Sequence, residues 1–565
     1  MKSIRSMIYR IAVMGILFML FTGTGAYADK DRIYRAGCPC SCGETVISRK
    51  TPGGYYLLSL PGNWDIRKMT LEMEGSSVIY LGGEKQEIRA GEEADLSGYA
   101  GMRIPVRDEN QRRIGDLMIR QGSEIPALFL TVDAKELRKA NRSKENEITE
   151  GRAVFTEADG TVSYDGGITQ MKGRGNNTFA YNKKPYQIKL EKKASLSGMN
   201  RAKTWVLLAN YNDVSMLRNK IVLDLAKETG MRYAVSCVQT DVWINGEYNG
   251  LYLLTEKIQI KKERIDLKDL EDATEEVNDA DPGSYAMFKT KTETLPLMRG
   301  YKVPANPEDI TGGYIFTIEK YARLRDYKVP GFRTKNELSI RIKEPTYPSR
   351  EQTEYLGNLI NDMHLAVIAE DGISKATGKS FGEYIDVPSF ALKYLIEEWT
   401  KNYDFFGGSQ FLYKDADERD PLVYAGPAWD YDLAFGNMRD RGYSPEGNYL
   451  TAISRRKSNL YWLLSRHETF MREVDGIWLE KFRPAAAILL GEAVAPEGSV
   501  MCSLDGYAER IRKSAEMNYA RWAVSRNTDE NAGGSFDNAV AYLKRWITRR
   551  TAFMDEHYGI TEKHE

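Results

Sequence analysis

Apolar and polar residues alternate over short runs in the first part of the chain. Segments 55–58, 69–73, 78–81 and 102–106 follow this pattern, and Gly, Pro and Asn separate them at intervals of roughly ten residues. Alternation with a period of two is typical of strands that bury one face. The pattern predicts a small all-β module over residues 29–124, for which binding or spacing is the simplest role.

The pattern changes after residue 124 to a mixture of strands and one helix. Residues 125–262 hold several strand-like segments, together with an amphipathic helix that Asp213 can cap and Gly230 can end. Asn245 and Gly246 join two of the strand segments and predict a tight hairpin turn.

The remainder of the chain is acidic at first and then mainly helical. Residues 263–311 combine a run of negative charge with Pro and Gly, which indicates a surface insertion or connector. Residues 312–565 show apolar positions at helical spacing. A strand-rich part followed by a helix-rich part predicts an α+β fold. The clearest predicted helices cover residues 350–369, 386–399, 459–478, 504–524 and 537–558.

The N-terminus has the pattern of an export signal. Three basic residues precede an apolar run over residues 11–21, and an Ala-Tyr-Ala cleavage site follows it. The run is shorter than the ~20 residues that a membrane-spanning helix needs. We therefore predict a signal peptide over residues 1–28, no stable membrane span after its cleavage, and a secreted or cell-surface protein. An uncleaved membrane anchor is the alternative.

Charge and histidine content exclude several classes of function. The chain has 79 basic and 80 acidic residues, a net charge of −1, and therefore lacks the basic surplus of a nucleic-acid-binding protein. Only four histidines are present: His364, His467, His557 and His564. A Ser–His–Asp hydrolase or a multi-histidine metal site is hard to build from so few.

The five cysteines leave their pairing open. Cys38, Cys40 and Cys42 crowd one short segment, whereas Cys237 and Cys502 stand alone. A disulfide with one of the distant cysteines, an intermolecular bridge or a soft-metal tract would each fit the cluster. A buried free thiol would equally fit Cys237.

Three polar stretches could carry chemistry, and the first is a glycine-rich turn. Two glycines beside small polar residues allow backbone N–H groups to approach phosphates closely. The following strand places Gln187 and Lys189 on one face, so Lys189 could reach a bound nucleotide. A plain β-hairpin would also explain the pattern. The turn comprises Gly173, Arg174, Gly175, Asn176 and Asn177.

The second and third stretches supply carboxylates. Asp404 follows the predicted helix 386–399 and lies among aromatic residues, where it could act as a positioned base. Asp430 and Asp432 are two positions apart, so their carboxylates point the same way if the segment is extended. Oxygen clusters of this kind suit Mg²⁺ or Ca²⁺. Ordinary turn aspartates without a metal are the alternative for both stretches.

The order of these stretches is that of kinases. A glycine loop and a strand lysine are followed much later by Asp404, and then by Asp430 26 residues further on. Phosphoryl transfer needs phosphate binding, charge neutralisation by metal and a carboxylate near the acceptor hydroxyl. It requires no histidine.

On these motifs the chain resembles the spore-coat protein H (CotH) kinase family, an atypical branch of the protein-kinase-like fold. The resemblance covers residues 125–555, which is most of the chain after the signal peptide. Its landmarks are segments 172–178, 184–189, 205–213, 217–219, 245–257, 312–315 and 429–436.

The resemblance implies a fold and an activity. The fold would be two-lobed, with a β-rich N-lobe over residues 125–262 and a helical C-lobe over residues 312–565, preceded by the small all-β module. The activity would be transfer of the ATP γ-phosphate to Ser or Thr of a protein substrate, with Mg²⁺ or Mn²⁺. A cell-surface or extracellular assembly partner is also expected.

The resemblance further implies roles for single residues. Lys189 would bind the nucleotide phosphates beneath the 173–177 loop. Asp404 would be the catalytic-loop aspartate, and Asp430 the metal ligand, with Asp432 able to share that role. The strand 251–257 would lie beside the adenine. If an acidic residue orients Lys189, Glu256 and Asp224 are the candidates.

Two departures from the kinase pattern keep alternatives open. Asn402 and Tyr403 precede Asp404 in place of His-Arg, and Ser409 stands where a kinase has its second metal-ligand Asn. Ser409 is a neutral oxygen ligand and a weaker one. An inactive surface, assembly or adhesion protein on the same fold is one alternative. An ATP-dependent transferase of another group is the other.

Overall fold

A computed structural model describes most of the chain and has an α+β fold, as predicted. The predicted signal peptide (residues 1–28) and Cys40 lie outside the described residues. No helix within the described residues has the length and apolar character that crossing a membrane requires. The described residues are 33–39, 41–82, 86–326, 328–438, 444–453, 456–523 and 534–558.

The described residues form 25 strands, and all but the last two lie before residue 345. They are β1 (Tyr34–Gly37), β2 (Thr45–Ile47), β3 (Arg49–Lys50), β4 (Tyr56–Leu60), β5 (Met69–Met73), β6 (Val78–Leu81), β7 (Gln86–Arg89), β8 (Glu93–Ala94), β9 (Arg103–Arg107), β10 (Arg113–Gln121), β11 (Ala127–Val132), β12 (Glu147–Ile148), β13 (Gly151–Thr156), β14 (Val162–Gly173), β15 (Tyr186–Ala194), β16 (Ala202–Leu208), β17 (Cys237–Ile244), β18 (Glu247–Glu256), β19 (Met287–Thr290), β20 (Leu297–Tyr301), β21 (Tyr314–Ile318), β22 (Gly331–Arg333), β23 (Ser339–Glu344), β24 (Gln410–Lys414) and β25 (Val423–Ala425).

The described residues also form 12 α-helices, and eight of them lie after residue 345. The α-helices are α1 (Ala134–Ala140), α2 (Arg218–Glu228), α3 (Leu270–Glu276), α4 (Tyr321–Asp326), α5 (Arg350–Ile368), α6 (Val387–Thr400), α7 (Leu450–Ile453), α8 (Leu460–Leu464), α9 (Glu468–Ile477), α10 (Arg483–Leu490), α11 (Leu504–Arg521) and α12 (Phe536–His557).

Seven strands close into a ring. β16, β15, β14, β13, β11, β17 and β18 pair in that order, and β18 pairs back with β16. Apolar side chains such as Phe155, Ile188 and Trp205 form a buried cluster from these strands. The predicted turn joins β17 to β18, and Asn245 and Gly246 have φ of 52° and 80°. A two-residue hairpin turn with positive φ at both positions is the type that Asn-Gly favours.

The N-terminal segment contributes to two sheets. β2, β1, β5 and β8 continue the sheet of the ring beyond β18, where Glu247 pairs with Ile47. β3, β4, β10, β9, β6 and β7 form a second sheet. Because the pairing of β2 with β18 crosses residue 124, the boundary of a separate module there stays a prediction. Cys42, Cys237 and Cys502 carry free thiols.

A third sheet is formed by strands from the second half of the chain, where most of the helices also lie. Its order is β19-β20-β22-β23-β21-β24-β25. Two of its strands and α3 come from residues 263–311, which we expected to be an acidic insertion or connector. Leu270, Leu295 and Met298 of this segment are 0% exposed in the largest apolar core. The segment is therefore partly core, because its acidic residues occupy the outward positions between buried ones.

The predicted helices of this part are largely confirmed. Helices α5, α6, α11 and α12 match the expected segments within a few residues. The expected helix over 459–478 is instead two helices, α8 and α9, that meet at His467. The His467 imidazole Nε2 lies 2.9 Å from the Val367 carbonyl oxygen of α5, which fixes the position of this junction.

Helix α2 begins at Arg218, five residues after the Asp213 that was expected to cap it. The Asp213 carboxylate accepts hydrogen bonds from the backbone N–H of Ser215 (3.0 Å) and of Arg218 (2.9 Å). It also forms an ion pair of 2.6 Å with the Arg218 guanidinium. The Arg218 Nε donates to the Ala434 carbonyl at 3.0 Å. Helix α2 is thereby tied to the segment that follows β25.

Candidate functional site

A cleft of about 470 Å³ is lined by residues from the ring and from the third sheet. The ring contributes the glycine-rich turn after β14 and the segment after β16. The third sheet and the loops around it contribute carboxylates and basic residues. The lining includes Lys144, Arg174, Gly175, Asn176, Asn177, Arg323, Arg341, Lys343, Asp404, Ser409, Trp429, Asp430 and Asp432.

Asp404 is positioned by the end of helix α6. Lys401 adopts a left-handed conformation (φ 45°) that ends the helix, and a short 3-10 turn over Tyr403–Gly407 follows. The Asn402 side chain caps this turn by accepting a hydrogen bond of 3.2 Å from the Asp404 backbone N–H. This local structure directs Asp404 into the cleft, as a base in that position requires.

Asp430 has a left-handed backbone conformation, with φ of 73°. The segment is thus not extended, contrary to the assumption behind the sequence prediction, but the two carboxylates still converge. Such a φ is unusual for a residue other than glycine, although Asp and Asn tolerate it best. The surrounding structure holds it: Asn402 donates to the Asp430 carbonyl at 3.1 Å, and Asn219 of α2 accepts from the Tyr431 N–H at 2.7 Å.

Asp404, Asp430 and Asp432 form one carboxylate cluster. Each offers a ligand oxygen, and these oxygens lie within 4.8 Å of one another. Burial and the nearby Asp430 raise the pKa of Asp404 to about 6. Burial also raises the pKa of Asp430, and burial with repulsion from Asp430 raises that of Asp432. An all-oxygen donor set suits Mg²⁺ or Mn²⁺, and a bound cation would relieve this repulsion.

Basic side chains complete the cleft. The Arg174 guanidinium lies 5.2 Å from the centre of the Trp429 ring. Burial lowers the pKa of Arg174 to about 10, although Asp430 opposes the shift. Arg341 and Lys343 come from β23, and Arg323 from α4. Of these residues the sequence analysis identified only Arg174. The alternation Ile-Arg-Ile-Lys over residues 340–343 was the available signal for Arg341 and Lys343.

The structure does not bring Lys189 to the cleft. Tyr186, Ile188 and Leu190 are buried on β15, so the alternating Lys189 side chain is exposed on the other face. The predicted alternation is therefore present, but the lysine face is the outside of the ring. Gly173 also lies outside the cleft lining, where it pairs with Tyr186 in the ring. The other four residues of the glycine turn do line it.

The acidic residues expected to orient Lys189 bind other partners. Glu256 forms a buried ion pair of 2.5 Å with Arg264. Asp224 pairs with Lys220 at 2.6 Å. Neither residue is among those that line the cleft.

Ser409 lies beside the carboxylate cluster. Its hydroxyl donates a hydrogen bond of 3.1 Å to Asp430 Oδ2. Ser409 therefore orients the Asp430 carboxylate, and its expected role as a metal ligand stays a prediction.

Comparison with known families finds a family model that covers most of the residues of the cleft. A family model described as CotH kinase protein matches residues 171–554. This chain belongs to the CotH kinase family. The matched residues run from the glycine-rich turn to the last turns of α12, so they contain the carboxylate cluster of this CotH kinase chain. No curated protein gave a significant match. Family membership identifies a kinase-like protein and suggests a phosphotransferase.

Proposed function

We propose that this CotH kinase is an exported, metal-dependent enzyme that transfers the γ-phosphate of ATP to Ser or Thr of a protein. The observation that supports this is the cluster of Asp404, Asp430 and Asp432, whose ligand oxygens lie within 4.8 Å of one another. The same cleft holds five basic side chains. Enzymatic phosphoryl transfer depends mainly on positioning and charge neutralisation, and a cleft with both kinds of charge meets these needs.

Asp430 and Asp432 would hold Mg²⁺ or Mn²⁺ in the proposed enzyme. A bound divalent cation supplies neutralisation of charge on the phosphate oxygens. Ser409 keeps the Asp430 carboxylate in one orientation through its hydrogen bond of 3.1 Å. Asn402 and Asn219 keep the backbone on both sides of Asp430 in the left-handed turn.

Asp404 would act as the base. The acceptor hydroxyl oxygen forms a bond to the γ-phosphorus, the bond from that phosphorus to the bridging oxygen breaks, and ADP leaves. The hydroxyl proton passes to the Asp404 carboxylate. Although the pKa of Asp404 is raised to about 6, the carboxyl is still mostly ionised at neutral pH. A pKa near the pH of the reaction favours general-base catalysis, because the ionised group is then also a better proton acceptor.

The acceptor is proposed to be a protein met after export. The N-terminal pattern of residues 1–28 supports export, and the near-neutral net charge argues against a nucleic-acid partner. A cell-surface or extracellular assembly is the expected setting. An inactive assembly or adhesion protein and a transferase of another group are the outcomes that the experiments must separate from this proposal.

ATP with Mg²⁺ or Mn²⁺ should raise the thermal stability of the protein. A ligand at 100 times its Kd stabilises the native state by about 2.7 kcal/mol, which differential scanning fluorimetry detects as a higher melting temperature. We expect the metal to contribute to ATP binding, so ATP with EDTA should raise the melting temperature less than ATP with the metal. The same melting temperature with and without metal-bound ATP would contradict the proposal and favour a non-catalytic assembly protein.

A further inference from the structure

Strand β23 presents two basic side chains to the cleft. Ile340 and Ile342 are 0% and 2% exposed and belong to the largest apolar core. Because successive side chains on a strand point to opposite faces, Arg341 and Lys343 share the other face, and both line the cleft. Arg341 of β23 pairs with Thr317 of the neighbouring strand β21. On its other side Thr317 pairs with Phe411 of β24, the strand that begins just after Ser409. The pairing thus brings β23 near the Asp404 loop.

These two side chains have few partners for their charge. The Lys343 ammonium lies 3.9 Å from Glu319 Oε1, its only ion pair in the described part of the chain. Glu319 also forms an ion pair with Arg323, in which Glu319 Oε2 lies 3.3 Å from the guanidinium. The Arg341 Nε is buried and has no hydrogen-bond partner among the described residues. Burial lowers the pKa of Lys343 to about 8, and repulsion from Arg341 adds to the shift.

Incompletely paired, partly buried cations are costly to keep in a fold. An anionic ligand would reduce this cost by pairing with the two cations. The cleft lining holds five basic and three acidic side chains, a surplus of two positive charges (5 − 3). A triphosphate that is partly neutralised by a divalent cation would balance this surplus. Arg341 could bind phosphate oxygens through its planar guanidinium, and Lys343 as a point charge.

We propose that Arg341 and Lys343 of β23 bind the nucleotide phosphates, the role that family resemblance implies for Lys189. The inference rests on the proposed function because it assumes that the cleft binds ATP. It differs from the kinase pattern in the position of the phosphate-binding lysine, which comes from β23 of the third sheet and not from the ring strand β15. Lys189 is exposed on β15 and does not line the cleft.

Isothermal titration calorimetry with ATP and with adenosine, both in Mg²⁺, tests the proposal on purified protein. Lys343→Met and Arg341→Met should each weaken ATP binding by about tenfold or more, since a charge-assisted hydrogen bond or ion pair is lost. Adenosine affinity should stay unchanged, because adenosine has no phosphates. Lys189→Met is the matched control and should bind ATP like the wild type. Lys343→Arg should recover most of the affinity.

Three results would overturn the inference. The first is unchanged ATP affinity in both β23 variants, and the second is a loss in Lys189→Met as large as theirs. The third is an equal loss for ATP and adenosine, which would indicate damage to the cleft and not loss of phosphate recognition. A wild type that binds ATP but transfers no phosphate would contradict the proposed function alone. An active wild type with insensitive β23 variants would contradict this inference alone.

Discussion

Asp430→Asn should lower the rate of phosphoryl transfer by about a thousandfold while leaving the fold intact. Charge stabilisation by a catalytic metal is worth several kcal/mol, and each ~1.4 kcal/mol corresponds to a factor of ten in rate. Asn is isosteric, tolerates the left-handed φ of 73° found at this position, and can still accept the Ser409 hydrogen bond. The measurement is incorporation of labelled phosphate at saturating ATP.

The same variant should be no less stable than the wild type without metal. Asp430 is buried, and the pKa of its carboxyl is raised by that burial, so removing the charge removes a repulsive contact in the cluster. Asp279→Asn is the matched control: Asp279 is exposed and outside the cleft, and its variant should keep full activity. Full activity in Asp430→Asn would show that the cluster does not hold the catalytic metal.

Arg218→Met should destabilise the protein by about 3–5 kcal/mol, the usual effect of removing one partner of a buried ion pair. The side chains of Arg218 and Asp213 are only 2% and 0% exposed, so the variant leaves an uncompensated carboxylate in the interior. It also removes the hydrogen bond to the Ala434 carbonyl. The measurement is the urea dependence of unfolding, followed by tryptophan fluorescence.

An exposed ion pair provides the control for this prediction. Arg67 and Asp65 are paired at 2.9 Å, but the Arg67 side chain is 70% exposed, so Arg67→Met should leave the unfolding midpoint unchanged. Adding Asp213→Asn to Arg218→Met should recover part of the lost stability, because the buried charge is then absent. Equal midpoints for Arg218→Met and Arg67→Met would show that the link between α2 and the Asp430 segment contributes little.

The sequence was most informative where structure is set locally. The Asn245-Gly246 hairpin follows from the φ values that this pair favours. Helix α5 follows from apolar spacing, and in the structure the Ser349 side chain begins it with a capping box to Gln352. The insertion or connector expected over residues 263–311 stays a prediction, and charge averaged over the segment hid buried positions such as Leu270 and Met298. Their partners in the third sheet come from distant parts of the chain.

The difference between local signals and long-range pairing also explains which site residues the sequence could identify. Asp404, Asp430 and Asp432 were identified because residue type and order carry the kinase-like pattern. Lys189 was assigned to the cleft because alternation reveals two faces of a strand but not which one lies outside a closed ring. Arg341 and Lys343 were missed because their pattern is that of any half-buried strand. Their position depends on the pairing of β23 with β21 and of β21 with β24, which no local signal encodes.

The most direct test of the central claim is the identity of the group transferred. The purified protein is incubated with Mg²⁺ or Mn²⁺, a Ser/Thr-rich acceptor protein, and ATP labelled at the γ-phosphate or at the α-phosphate in parallel, and the products are identified by mass spectrometry. We predict label only from the γ-position, on Ser or Thr, no label with EDTA, and labelling that is about a thousandfold slower with Asp430→Asn. Label from the α-position would identify a nucleotide transferase, and no label from either would identify a non-catalytic protein; either result would contradict the account.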